Sequence, residues 1–319
     1  MKTILAADLG GTNSRFGHFQ TDQAGGLELV GRKWLPTREA GSFPELLEQL
    51  QASDFSLPPG QADIAVIAAA GPVEHGTYCA PPYIPWDIDL SRDKNSKPIK
   101  NAYLINDFVA QAYACRSPAG NAARPILPGK INEEAVAGVL GAGTALGKAI
   151  LVPIPGSGFL ALPSEGGHAC FPFMSSEEFS FQKFYQENSG RRHITGNLVV
   201  SGQGIQYLHW FLAGEKLEPR EITLGFAEGE NSETLAWTAA FYGRVCRDFA
   251  LEVLAGGGIY IAGGIAARNP EILYHDNFNH EFLDSPTMTH ILREIPVFLI
   301  NDQDSGLWGA AFHGQQIIK

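Results

Sequence analysis

The chain has 319 residues, 36 of them glycine, with 45% hydrophobic and 18% charged residues. That composition buries a core and excludes disorder, while the lack of a Gly-X-Y period or Gly/Ser tract excludes fibre and linker. Asp and Glu outnumber Lys and Arg by 34 to 23, a net charge of −11; a surface so acidic argues against nucleic-acid and membrane partners.

The opening TILAADL, GGTN, SRFGHFQ reads as strand, turn and strand, and LELVGRKWL as a third strand. The apolar start meets Asp8 too early for a signal peptide. Ser42–Ala52 begins with a capping serine and carries apolar residues at helical spacing. ADIAVIAAAG and NAYLINDF follow as buried strands. A second set starts near Ala135: VAGVLGAGTALGKAILVP is again strand, Gly-rich turn and strand. Asn231–Ala255 reads as a long helix, GIYIAGGIA as a strand with a Gly-Gly turn, IPVFLI as a late strand and GLWGAAFHG as a C-terminal helix. The longest uncharged run, Val253–Ala267, is too short for a membrane span. Together these elements predict an α/β protein with mixed sheets, built as two halves on one plan with a cleft between. Cys79, Cys115, Cys170 and Cys246 are far apart and form no C-x-x-C pair, which suits reduced thiols in the cytoplasm.

Glycine clusters sit at apolar strand ends: Gly10-Gly11, Gly141 to Gly147, Gly263-Gly264, and Gly306 to Gly309, which is also counted among these turns. Such turns let oxygen atoms of an anion approach backbone N–H groups, and Thr12 and Thr144 can add hydroxyl donors. Each alone also suits a plain hairpin turn; two of the form D-x-G-G-T and G-x-G-T in one chain favour phosphate binding. Neither a Walker A nor a Rossmann fingerprint is present. Asp8 either caps its own turn or holds Mg²⁺ through water.

DLGGTNSR, LINDF, GAGTALG, SEGGH and IYIAGGI occur in that order, and from Asp8 to Gly309 the chain resembles the zinc-free branch of the bacterial glucokinase family. That family lies within the sugar-kinase, Hsp70 and actin superfamily. The resemblance implies a two-lobed actin-like ATPase (ribonuclease H-like) fold with an interlobe cleft. Its expected domains are residues 1–116 plus 302–319 and residues 117–301. It implies ATP-dependent phosphorylation of a hexose 6-hydroxyl, glucose first, in a cytoplasmic homodimer. Another hexose or an amino sugar as acceptor, or a non-catalytic sensor of the same fold, are the alternatives. ATP would lie on Ala7, Asp8, Leu9, Gly10, Gly11 and Thr12, on Gly141, Gly143 and Thr144, and on Gly263 and Gly264, with Mg²⁺ near Asp8. Asp107 matches the catalytic base; on local sequence alone it equally suits a cap for a helix beginning at Phe108. Asn106, Asp107, Glu165, His168 and Asn197 match sugar-contacting positions.

Two positions depart from the family pattern. Asn197 stands where the family has a further sugar-binding Glu before its V-L-S-G motif, here LVVSG. Pro82 and Tyr83 replace a Thr-Asn pair ahead of Trp86. The exchange at 197 removes a charge and shortens the reach, which predicts weaker glucose binding than the family norm or preference for another hexose.

Overall fold

Apolar and β-branched runs dictate the strands of the first third of the chain. The computed structural model describes residues 1–22, 25–92, 99 and 101–318. Strands β1 (Lys2–Leu9), β2 (Asn13–Thr21) and β3 (Leu27–Pro36) form an antiparallel meander. Then β4 (Ile64–Ala69), buried at every position, lies parallel to β1. Strands β5 (Tyr78–Cys79) and β6 (Ile88–Asp89) make a small hairpin, and β7 (Ala102–Asn106) pairs parallel with β4. The sheet order is β3-β2-β1-β4-β7.

Helices cover both faces of this sheet. The helix Phe43–Ala52 is capped by Ser42, whose hydroxyl accepts from Glu45 N at 3.3 Å, and buries Phe43, Leu46, Leu47 and Leu50. The C-terminal helix Ser305–Ile317 lays Leu307, Ala310 and Ala311 against Ile4, Ala6, Phe19, Ile64 and Val66. Gly306 to Gly309 therefore lies inside a helix and forms no strand-end turn. A β-carbon on Gly309 would stand 1.7 Å from the Ala110 carbonyl oxygen, so this glycine serves close helix packing.

The second set repeats the plan. Strands β8 (Arg124–Leu127), β9 (Ala137–Ala142), β10 (Leu146–Ile154), β11 (Gly158–Ser164), β12 (Ile259–Ala262) and β13 (Val297–Leu299) are ordered β11-β10-β9-β12-β13-β8. As before, an antiparallel pair leads into parallel neighbours, β9 beside β12 and β12 beside β13. The core here is aromatic, with Phe171 edge-on to Phe173 and to Phe241 at 4.9 Å. The long helix is Ser232–Glu252, shorter than expected at both ends, with Asn231 before it and Leu254 after it in left-handed conformations.

Charged groups also lie inside this second core, Arg244 deepest among Lys148, Arg244 and Arg247. Arg244 is buried and donates to Glu178 at 2.6 and 2.8 Å, to Glu281 at 3.0 and 2.8 Å, and to Pro172 O at 2.9 Å. Burial opposes its charge, but the two carboxylates overcome that and hold its pKa above the ordinary value.

The chain divides into two units: Met1–Ala122, Ile154–Ala161 and Asp302–Lys319 in one, Ala123–Pro153 and Leu162–Asn301 in the other. Among the described residues no helix is long and apolar enough to cross a membrane.

His313 of the C-terminal helix stacks on Tyr113 at 4.5 Å, and its buried Nδ1 has no hydrogen-bond partner among the described residues. Burial lowers its pKa from the usual 6.5 to about 4. The unfolded chain takes up this proton near pH 6.5 and the folded one resists to about pH 4, so stability falls as pH drops through that window. Replacing His313 by Phe should flatten stability against pH between those limits in denaturant titrations. Parallel losses in parent and variant would contradict the assignment.

Candidate active site

Parallel strands end together at one edge of a sheet, and that edge is where open backbone groups and following loops gather. In the first unit Leu9 pairs with Ala69, and Ala69 with Asn106. The Gly10-Gly11 turn and Asp107 thus leave the same edge, two strands apart, roughly 10 Å by strand spacing. Thr37 braces the turn: its hydroxyl donates to Gly10 O at 2.6 Å and its N–H to Thr12 O at 3.0 Å. The loop carrying Pro82 and Tyr83 rests on it, with Tyr83 Cβ 2.7 Å from where a Gly11 β-carbon would be. Trp86 anchors this loop, donating from Nε1 to Ala40 O at 2.8 Å.

Residue 107 begins the helix Asp107–Ala114, and the capping role falls to Asn106. Asn106 Oδ1 accepts from Phe108 N at 2.9 Å and Val109 N at 3.3 Å, and its Nδ2 donates to Gly71 O at 3.0 Å. Asp107 Oδ1 also accepts from Phe108 N, at 3.0 Å. The NAYLINDF strand accordingly stops one residue short of Asp107.

Asp8 is held by residues whose roles the sequence reading left unassigned. The Arg15 Nη1 group donates to Asp8 Oδ2 at 3.3 Å and to Gln303 O at 3.0 Å, and its guanidinium lies 4.7 Å over the Trp34 ring. Burial raises the Asp8 pKa, Arg15 partly offsets this, and nearby Asp304 adds to the rise. Asp304 is itself buried and accepts from Arg32 Nη1 at 2.5 Å through Oδ2. Its Oδ1 has no partner among the described residues. Hairpin arithmetic could have found the first pair, since Asp8 and Arg15 face each other across β1 and β2.

In the second unit Gly141 pairs with Ala262 on the neighbouring strand, so the Gly143-Thr144 turn and Gly263-Gly264 also share one edge. A β-carbon on Gly141 would lie 2.2 Å from Ala262 O, which makes glycine obligatory for this close approach. Tyr242 OH, deeply buried, accepts from Ala142 N at 3.2 Å and fixes the strand end. Gly143 O accepts from Gly202 N at 3.1 Å, and Thr144 is exposed.

Glu165 precedes and His168 ends the single helical turn Gly166–His168. Their side chains are exposed, with Nε2 and Oε2 3.7 Å apart. The turn lies directly on the start of β10: a β-carbon on Gly167 would be 2.1 Å from Leu146 O. Asn197, in the short helix Gly196–Val199, accepts from Leu146 N through Oδ1. Glu165, His168 and Asn197 are therefore gathered around Leu146. Among the described residues no group of three or more His, Cys, Asp or Glu is placed to hold a metal ion.

The glucokinase family model matches residues 5–317 of this chain. The chain belongs to the glucokinase family. A glucokinase from Nostoc sp. is 30% identical over 341 residues, spanning 98% of both chains. One from Sinorhizobium medicae is 31% identical over 317 residues, covering 97% of this chain and 91% of its own. The crystal structure of a glucokinase from an Antarctic psychrotroph superposes with a TM-score of 0.85 at 27% identity over 98% of each chain. This family member accordingly has the mixed-sheet α/β architecture of the actin-like ATPase fold.

Substituting Gly167 by Ala forces the turn off Leu146 and displaces Glu165 and His168 together. A shift of about 1 Å in a substrate-positioning group costs roughly 100-fold in catalytic efficiency, and kcat/KM for hexose should fall on that order. An unchanged value would show that the turn does not position substrate.

Proposed function

We propose that this glucokinase-family chain transfers the γ-phosphoryl group of ATP to the 6-hydroxyl of glucose, with Asp107 as the base. The observation that carries the reading is the shared sheet edge. Asp107 leaves it two strands from the Gly10-Gly11 turn, while Asn106 relieves it of sole responsibility for the helix cap. A carboxylate so placed orients the hydroxyl and accepts its proton late in transfer. Asn106 retains one amide N–H beyond its bond to Gly71, and that donor can reach a sugar hydroxyl. Glu165 accepts from neighbouring hydroxyls, and His168 donates or accepts beside it. Polar groups that a bound sugar covers but a wrong sugar leaves unpaired then provide discrimination.

Residues Ala7–Thr12, Gly141, Gly143, Thr144, Gly263 and Gly264 form the nucleotide-contacting set of this reading. Mg²⁺ fits the first turn: Asp8 is a single carboxylate at a strand end, and the Asp304 Oδ1 acceptor beside it is unused among the described residues. Asp8 would hold the ion through water, and the ion neutralises phosphate charge when bound. Free cysteines at 79, 115, 170 and 246 suit a reducing cytoplasm, and the family resemblance extends the reading to a homodimer.

Two measurements test this. ADP release on a panel of hexoses and donors should be fastest with glucose and Mg-ATP; hydrolysis independent of sugar would point to a different ATPase. Exchange of Asp107 for Asn should leave folding intact and reduce kcat by ~10²–10⁴-fold, the usual scale of general base catalysis. A variant turning over at the parental rate would remove Asp107 from the mechanism.

A further inference from the structure

Asn197 lies beside the Glu165–His168 turn by backbone pairing alone. Gly196 N donates to Ala169 O at 3.0 Å, Cys170 bridges Thr195, and a Gly196 β-carbon would stand 3.4 Å from Gly167 O. The Asn197 carboxamide has one acceptor and one donor end. Here the partner decides. It is the backbone N–H of Leu146, which only donates, so Oδ1 faces Leu146. The acceptor end is turned to the protein, with one of its two lone pairs taken by Leu146 N. The half-buried residue is left with Nδ2 and its two hydrogens, for which the described residues supply no partner.

We propose that Asn197 sets the hydrogen-bond polarity at one ring position of the hexose: the protein donates there through Nδ2, and the sugar substituent must accept. The inference rests on the sugar site of the preceding section and specifies its substrate class. A carboxylate at residue 197 presents only acceptors and requires a substituent that donates. Glucose satisfies either arrangement, because a hydroxyl both donates and accepts. Substituents that only accept, such as fluorine or an ether oxygen, satisfy the asparagine alone.

The test is a set of glucose analogues, each with one ring hydroxyl replaced by fluorine, assayed with the parent and with Asn197→Asp. The aspartate keeps an oxygen for Leu146 N, and thermal melting checks that the fold is kept. All efficiencies are expressed relative to glucose for the same protein. At one ring position the parent should process the fluoro analogue within about threefold of glucose, and the variant should lose at least ~10-fold on that analogue alone, the scale of one hydrogen bond. Identical analogue profiles for the two proteins would overturn the inference, and a purely structural role for Asn197 would move every analogue equally. Glu165→Gln, assayed in parallel, separates the two levels. If it raises the glucose KM while the Asn197→Asp profile stays parental, only this inference fails. If it leaves the glucose KM unchanged, the sugar-site reading fails and carries this inference with it.

Discussion

Leu146 is the residue on which the candidate sugar segments of the second unit converge. Its carbonyl occupies the space a Gly167 side chain would need, its N–H is taken by Asn197, and its side chain lies 3.3 Å from where a Gly196 β-carbon would be. Two chain segments far apart in sequence, one at Gly167 and one at Gly196-Asn197, are thereby fixed to the first residue of β10 with no slack for an added methyl group. The same residue follows directly on the Gly143-Thr144 turn, whose carbonyl is held by Gly202. The segment expected to meet phosphate is thus joined through Ala145 to the residue on which the segments expected to meet sugar rest. Such over-determination keeps reacting groups in register without relying on flexible side chains.

The first unit reaches a similar end by other means. Its turn is braced from β3 through Thr37, covered by the Tyr83 loop, and faced by a carboxylate that Arg15 restrains. Arg15 also reaches the chain just before the C-terminal helix through Gln303 O, so Asp8 and that helix are located by one guanidinium. An arginine held by stacking on Trp34 is well suited to this, because its planar fork loses little freedom on binding two acceptors.

Much of this was legible in the sequence. Strand-turn-strand units at Gly10-Gly11 and Gly143-Thr144 follow from apolar runs interrupted by glycine, and the capping serine at 42 is local chemistry. Asp107 and Asn106 were visible as a pair, but not which of them caps the helix, since both side chains can do so and the choice depends on a bond to Gly71 thirty-five residues away. The glycines at 306 and 309 resembled a turn because glycine signals backbone proximity without saying whether the neighbour is a ligand or another helix. Asn197 announced a departure from pattern, but its bond to Leu146 spans fifty-one residues and no local spacing encodes it. The buried Arg244 left no periodic trace either, because one charge on a long helix normally marks its wet face.

That arginine constrains how the family can vary here. It joins helices Ser176–Ser189, Ser232–Glu252 and Asp276–Leu283 through two partly buried carboxylates. Losing the cation alone would leave both carboxylates without their counter-charge, and losing either glutamate would leave the buried guanidinium undercompensated, at a cost of up to about 3–5 kcal/mol. A coordinated exchange of all three for apolar residues of equal volume carries no such penalty. Descendants of this chain should keep positions 178, 244 and 281 as a set or abandon them as a set, with intermediates purged as poorly folding.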